Sequence, residues 1–340
     1  MNTRRWVAVA IAVGLFIFSG IAALIQPKQE ETDTLSGLNA LLYGTNELAE
    51  FVVEPGDEQR RIVHLYVEGE ISDTGSSLFA TEGYNHQMFL EELKQIQNDP
   101  TIAGVLLEVN SPGGGVYQSA EIAKEIRKIQ ELEVPIYVTM TQMAASGGYY
   151  ISASADKIFA TEETVTGSIG VIMSGINYAG LFEKLGIEDA TYKSGALKDV
   201  GSGARKPTAG DKEVLQTFVN NSYDRFVKIV SDGRQMPEEQ VRKIADGRIY
   251  DGQQALDNGL VDELGFPEDA LTALRTEQDL DNAELIEYDL SATGFANTWF
   301  GSKLAEVQGL KPSESTRVLT ILESIGTPDA PKPLYYYGGE

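Results

Sequence analysis

Residues 103–109 read Ala-Gly-Val-Leu-Leu-Glu-Val, a short run with almost no polar face, and they restrict the architecture more than any other segment. A strand that is apolar on both sides needs cover on both sides, the condition of a parallel sheet flanked by helices. The neighbouring pattern agrees. Residues 62–67, 135–140 and 157–160 predict further strands, and residues 87–97 and 117–132 predict helices, the second carrying Ile122, Ile126 and Ile129 at helical spacing. Alternation of this kind from Arg61 onward predicts an α/β domain with a parallel sheet and crossover helices. Residues 144–154 predict a small-residue helix. Val214, Leu215, Phe218, Val219, Tyr223, Phe226, Val227 and Val230 draw one apolar face of a long helix, with Thr208 and Asp211 placed as its capping box. Residues 268–275 predict one more helix, and no internal repeat points to a solenoid.

The amino terminus obeys a different rule. Residues 6–25 are apolar without a single charge, close to the roughly 20 residues that span a hydrocarbon core. Arg4 and Arg5 precede the run and Glu30 and Glu31 follow it, so the positive-inside rule predicts a cytoplasmic amino terminus and an extracytoplasmic remainder. A cleaved signal peptide is the competing reading, with small residues at 19–23, but Leu24 and Ile25 carry the apolar stretch past that point. The expected organisation is an anchor over 1–25, a stalk or linker over 26–60, a catalytic domain over 61–275 and a carboxyl-terminal extension over 276–340.

Charge and composition narrow the function. Asp and Glu number 51 against 27 Lys and Arg, a formal charge of −24, so nucleic acid is a poor partner. There is no cysteine, which removes disulfides, thiolate metal sites and cysteine nucleophiles. The two histidines, His64 and His86, fall inside a strand and at a helix start, where packing explains them. Hydroxyl, carboxylate and amine groups remain for chemistry.

Two turns stand out. Asn110-Ser111-Pro112-Gly113-Gly114-Gly115 follows the apolar strand and precedes a helix, so bare backbone N–H groups can point at an anion or a developing oxyanion. Met143-Ala144-Ala145-Ser146-Gly147-Gly148 is a second strand-to-helix turn, with a serine hydroxyl among small neighbours. A plain tight turn and a helix N-cap are the competing readings. Parallel strands bring both turns to the carboxyl edge of the sheet, where open α/β folds keep their sites. A serine nucleophile there needs a base, and the visible amines are Lys193 and Lys198. Lysine serves in that role when burial disfavours its charged form.

Asn110–Gly114, Ala144-Ala145-Ser146-Gly147-Gly148-Tyr149-Tyr150, Thr166-Gly167-Ser168-Ile169-Gly170-Val171 and Lys193-Ser194-Gly195-x-x-Lys198 together resemble bacterial signal peptide peptidase A, also called protease IV, over residues 60–275. The resemblance implies a Clp-protease and crotonase-like α/β fold preceded by one transmembrane helix, and a serine/lysine dyad. By position, it makes Ser146 the nucleophile, Lys198 the general base, Ser168 the residue that orients the lysine amine, and the Gly113 and Gly147 N–H groups the oxyanion hole. It further implies a homo-oligomeric ring, apolar peptides left by leader cleavage as substrates, and neither cofactor nor metal. A crotonase-type enzyme acting on coenzyme A thioesters and a catalytically inactive membrane scaffold are the alternatives. The closing run Leu334-Tyr335-Tyr336-Tyr337 needs a surface to cover it, for packing alone or as an extended strand along the substrate groove.

Overall fold

A computed structural model of the chain describes residues 48–73, 84–290 and 333–337. The first strands are β1 (Leu48–Glu54), β2 (Asp57–Glu68), β3 (Ile102–Ser111) and β4 (Gly113–Gly115), followed by β5 (Ile136–Ala145), β6 (Lys157–Ala160) and β7 (Val165–Gly167). The later ones are β8 (Ile249–Tyr250), β9 (Glu263–Leu264), β10 (Ala283–Leu290) and β11 (Leu334–Tyr336). Helices are α1 (His86–Asn98), α2 (Val116–Glu131), α3 (Gly147–Ser152), α4 (Ala179–Leu185), α5 (Ala209–Gly233), α6 (Glu238–Ile244), α7 (Gly252–Asp257) and α8 (Pro267–Glu277).

The main sheet runs β1-β10-β2-β3-β5-β6-β9, with β7 beside the end of β5 and β8 beside β7. β10, β2, β3, β5, β6 and β9 pair in parallel, and β7 runs parallel to β5. The fold is therefore mixed α/β with a mainly parallel sheet. Successive residues of the central strands serve opposite faces, as the pleat requires. Val105, Leu107, Val138 and Ile158 enter a large core shared with α1, α2, α3 and α5, while Ile62, Leu106, Tyr137 and Phe159 meet Ala270 and Leu274 of α8 on the other side. That two-sided cover is the reason residues 103–109 carry so little polarity.

Three segments differ from expectation. Ala144 and Ala145 are the last residues of β5, not the first of a helix, because they pair with Thr166 and Gly167 of β7 and Ala144 also registers with Ser111. Cross-strand hydrogen bonds override alanine's helix propensity there. Residues 48–60, expected within the stalk, form β1 and the start of β2. The acidic stretch after α8 contains β10, whose Glu284 and Glu287 sit among buried Leu285, Ile286 and Tyr288 beside β2. The expected capping box of α5 is present, with Thr208 Oγ1 accepting from the Asp211 N–H and an Asp211 carboxylate oxygen accepting from the Thr208 N–H. The apolar run over 6–25 lies outside the described residues, and among the described residues no helix is long and apolar enough to cross a membrane.

Candidate active site

β3 and β5 end side by side at the carboxyl edge of the sheet, and each runs through a turn into a helix, α2 and α3 respectively. Ser146 lies between β5 and α3 with φ 53° and ψ −112°, and it is 1% exposed. A non-glycine residue held at such a φ costs about 1–3 kcal/mol and persists only where its surroundings over-determine it. Here its N–H donates to the Gly167 carbonyl at 2.8 Å and its own carbonyl accepts from the Tyr150 N–H at 2.8 Å. Its side chain makes no capping hydrogen bond, so the N-cap reading is not what the turn adopts. A sharp strand-to-helix turn of this kind is a place where a fold can present a serine hydroxyl at a sheet edge.

The glycine turn is pressed against it. Gly113 has φ 97°, and a Cβ there would collide with the Gly147 nitrogen and the Tyr335 carbonyl oxygen. A Cβ on Gly147 would lie 3.0 Å from the Gly113 Cα and 2.8 Å from Ser119 Oγ. Only bare backbone allows this approach. Gly147 opens α3, where an N–H has no acceptor within the helix. The Gly113 N–H donates to Ser111 Oγ at 3.1 Å, near the long limit for such a bond.

Ser168 follows Gly167 directly, again at positive φ (49°), and its N–H donates to the Arg248 carbonyl at 2.8 Å. It forms part of the wall of a cavity of about 540 Å³ shared with Ile172, Tyr223, Gly247, Tyr336 and Tyr337. Lys193 donates to both carboxylate oxygens of Asp199, at 2.7 and 2.8 Å, so its ammonium is already engaged. Lys198 is exposed, on a turn closed by its N–H to the Gly195 carbonyl at 3.1 Å. The single chain thus gathers Ser146, Gly113, Gly147 and Ser168 and leaves Lys198 in solvent.

The carboxyl-terminal strand β11 pairs antiparallel with β4, setting Tyr335 opposite Gly114. Its other edge exchanges N–H and carbonyl groups with Ile172, at 2.9 and 3.1 Å between Leu334 and that residue. Tyr335 is fully buried, stacked 4.8 Å from the Tyr150 ring and tilted against Phe226 at 4.7 Å, with its hydroxyl donating to the Ser222 carbonyl at 2.8 Å. Burial pushes this phenol up. No local pattern in the sequence marks this pocket beyond the Tyr149-Tyr150 pair directly after the glycines, and the helical spacing of Phe226 marks it only as core.

Both histidines have other partners. His64 lies on β2 beside Tyr66, 3.4 Å from carboxylate oxygens of both Glu108 and Glu287, and His86 contacts Tyr84 and Glu121 at 2.7 and 3.0 Å. Among the described residues no group of three or more His, Asp or Glu could hold a metal ion.

Residues 128–281 match the model of peptidase family S49, a span that holds Ser146, Ser168 and Lys198 and begins after the Gly113 turn. Over the full length of both chains, 57% of residues are identical to a candidate signal peptide peptidase SppA of Enterococcus faecium. A candidate protease of Methanocaldococcus jannaschii is 36% identical over 81% of this chain and 85% of its own. Protease 4 of Haemophilus influenzae is 34% identical over 71% of this chain but only 37% of its own length.

Proposed function

Because the chain belongs to peptidase family S49, we propose that it is a serine endopeptidase in which Ser146 and Lys198 form the dyad, acting on apolar peptides such as released signal peptides. The observation that carries this reading is the strained, buried turn at Ser146 set against the bare backbone of Gly113 and Gly147. Neutral Lys198 takes the proton from Ser146 Oγ as the oxygen attacks a peptide carbonyl. The oxyanion accepts hydrogen bonds from the Gly113 and Gly147 N–H groups, each such donor being worth about 10²–10³ in rate. The lysine ammonium then protonates the leaving amine, and water resolves the acyl-enzyme with the same lysine as base.

Peptide binding as an added strand is supported by β11, which lies between β4 and Ile172 with one side chain filling an aromatic pocket. An apolar substrate suits that pocket. The proposal includes the Clp-protease and crotonase-like fold class, anchoring through residues 6–25 with the domain outside the cytoplasm, and a homo-oligomeric ring. A ring is supported by Lys198 itself, since a lysine base needs burial that the single chain does not provide.

The test is hydrolysis of a fluorogenic apolar peptide together with labelling by a serine-reactive fluorophosphonate. Ser146→Ala and Lys198→Ala are each expected to lose hydrolysis while keeping the wild-type circular dichroism spectrum, and Lys198→Arg to be equally inactive because arginine does not yield its proton. Activity retained by Lys198→Ala and lost in Lys193→Ala would move the base to the other lysine.

A further inference from the structure

No residue from 171 to 210 is buried, and α4 within this stretch contributes nothing to the core. Beyond Val171, packed on the core, and Ile172, paired with Leu334, buried side chains do little to fix the loop that carries Lys198. A chain of four charges holds it. Arg205 donates from Nε and Nη2 to the two carboxylate oxygens of Asp199, both at 2.8 Å, and from Nη1 and Nη2 to those of Asp211, at 2.5 and 2.9 Å. Lys193 closes the outer end on Asp199. Asp211, whose side chain is 1% exposed, is pinned in turn by the capping box of α5, and the far half of that helix is buried through Phe226, Val227 and Val230. The residue next to the proposed base is thereby tied through Arg205 to the core of the domain.

The arrangement also has an electrostatic consequence. Asp199 is the immediate neighbour of Lys198, and an uncompensated carboxylate beside a lysine favours its ammonium and disables it as a base. The charged groups facing Asp199 are Lys193 on its own segment and Arg205 before α5; Asp211 faces Arg205 from α5, and Lys212 and Glu213 on the same turn are exposed. Arg205, then Lys193, hold the Asp199 carboxyl far below the ordinary carboxylate range, and Arg205 with the Thr208 N–H does the same for Asp211.

We propose that Arg205 and Asp199 are positioning residues for the base: the bidentate clamp fixes the Lys198 loop on α5 and pairs the carboxylate that follows that lysine in the chain. The inference rests on the reading of Lys198 as the base. Surface ion pairs are individually weak, but a guanidinium gripping two carboxylates in fixed geometry is the side-chain link that joins the residue after Lys198 to α5, on a segment without a buried residue of its own.

The experiment measures kcat and KM against pH for the full-length protein in detergent micelles, using the fluorogenic apolar peptide, with oligomeric state followed by light scattering. Arg205→Ala is expected to lose about 10- to 100-fold in kcat with KM nearly unchanged, because the base is misplaced. The midpoint of its kcat/KM profile should move up by about one pH unit, because Asp199 is released beside the lysine. Adding Asp199→Asn to Arg205→Ala should return the midpoint without restoring the rate, and Arg205→Lys should return the midpoint with part of the rate. An assembled Arg205→Ala protein with a wild-type profile and rate overturns the proposal. If Arg205→Ala does not assemble, Asp199→Asn decides: a several-fold loss in kcat at an unraised midpoint supports the clamp, and a wild-type kcat overturns it. A wild-type profile that is flat with pH, or activity in Lys198→Ala, would instead remove the lysine-base reading beneath it.

Discussion

Ser146 holds a conformation that glycine adopts freely and serine does not. Its φ of 53° is imposed from both sides, by the β5–β7 pairing that ends at Ala145 and by the start of α3. If that strain is maintained for catalysis, relieving it should stabilise the fold. Ser146→Gly is expected to abolish hydrolysis and raise Tm by about 2–4 °C, whereas Ser146→Ala abolishes hydrolysis without that gain. Calorimetry on the three proteins checks this, and a Tm for Ser146→Gly below that of Ser146→Ala would show that the turn stores no strain. In the sequence the residue was legible as a serine between a strand and a helix. Its dihedral angles were not, because they depend on where Gly167 offers a carbonyl from a strand some twenty positions later.

Among the elements, β11 joins sequence and site most directly. Three residues pair with β4, which holds Gly113, one of the two glycines proposed for the oxyanion hole, and Tyr335 fills the pocket between Tyr150 and Phe226. Stacked and tilted aromatic contacts of this kind contribute about 0.5–1.5 kcal/mol each beyond area burial. If peptides bind as the proposed added strand, β11 competes with them for the same backbone donors and acceptors. Deleting residues 331–340 is accordingly expected to raise kcat/KM for short apolar peptides while lowering Tm only modestly. Unchanged kinetics with a large fall in Tm would make the tail a purely structural strap. The aromatic run announced that something must cover it; its partner strand was settled by the exposed edge of β4, which no local pattern reveals.

For the whole molecule, the question is what completes the site. Ser146 is buried and Lys198 is exposed in the same chain, and the stretch 171–210 that carries Lys198 has no buried residue. The proposed ring supplies the missing cover. Specific activity should then fall on dilution, together with fluorophosphonate labelling, at concentrations where light scattering reports dissociation and circular dichroism is unchanged. Full activity in dissociated single chains would mean that the loop folds over its own serine and needs no neighbour.

Periodicity and turn chemistry determined a great deal by themselves. The apolar run 103–109 required two-sided cover, the spacing of Ile122, Ile126 and Ile129 required a buried helical face, and Thr208 with Asp211 marked the start of α5, because each rests on a local rule of backbone geometry or burial. The two glycine-bearing turns were legible for the same reason, and parallel topology alone sent them to one edge. Tertiary structure decided the rest. Ala144 and Ala145 became strand because β7 offered hydrogen bonds, Glu284 and Glu287 entered a strand because β2 needed a parallel neighbour, and Arg205 found Asp199 and Asp211 across a loop that has no core of its own. Those outcomes depend on partners distant in sequence or on ion-pair geometry, and neither leaves a periodic trace in the chain.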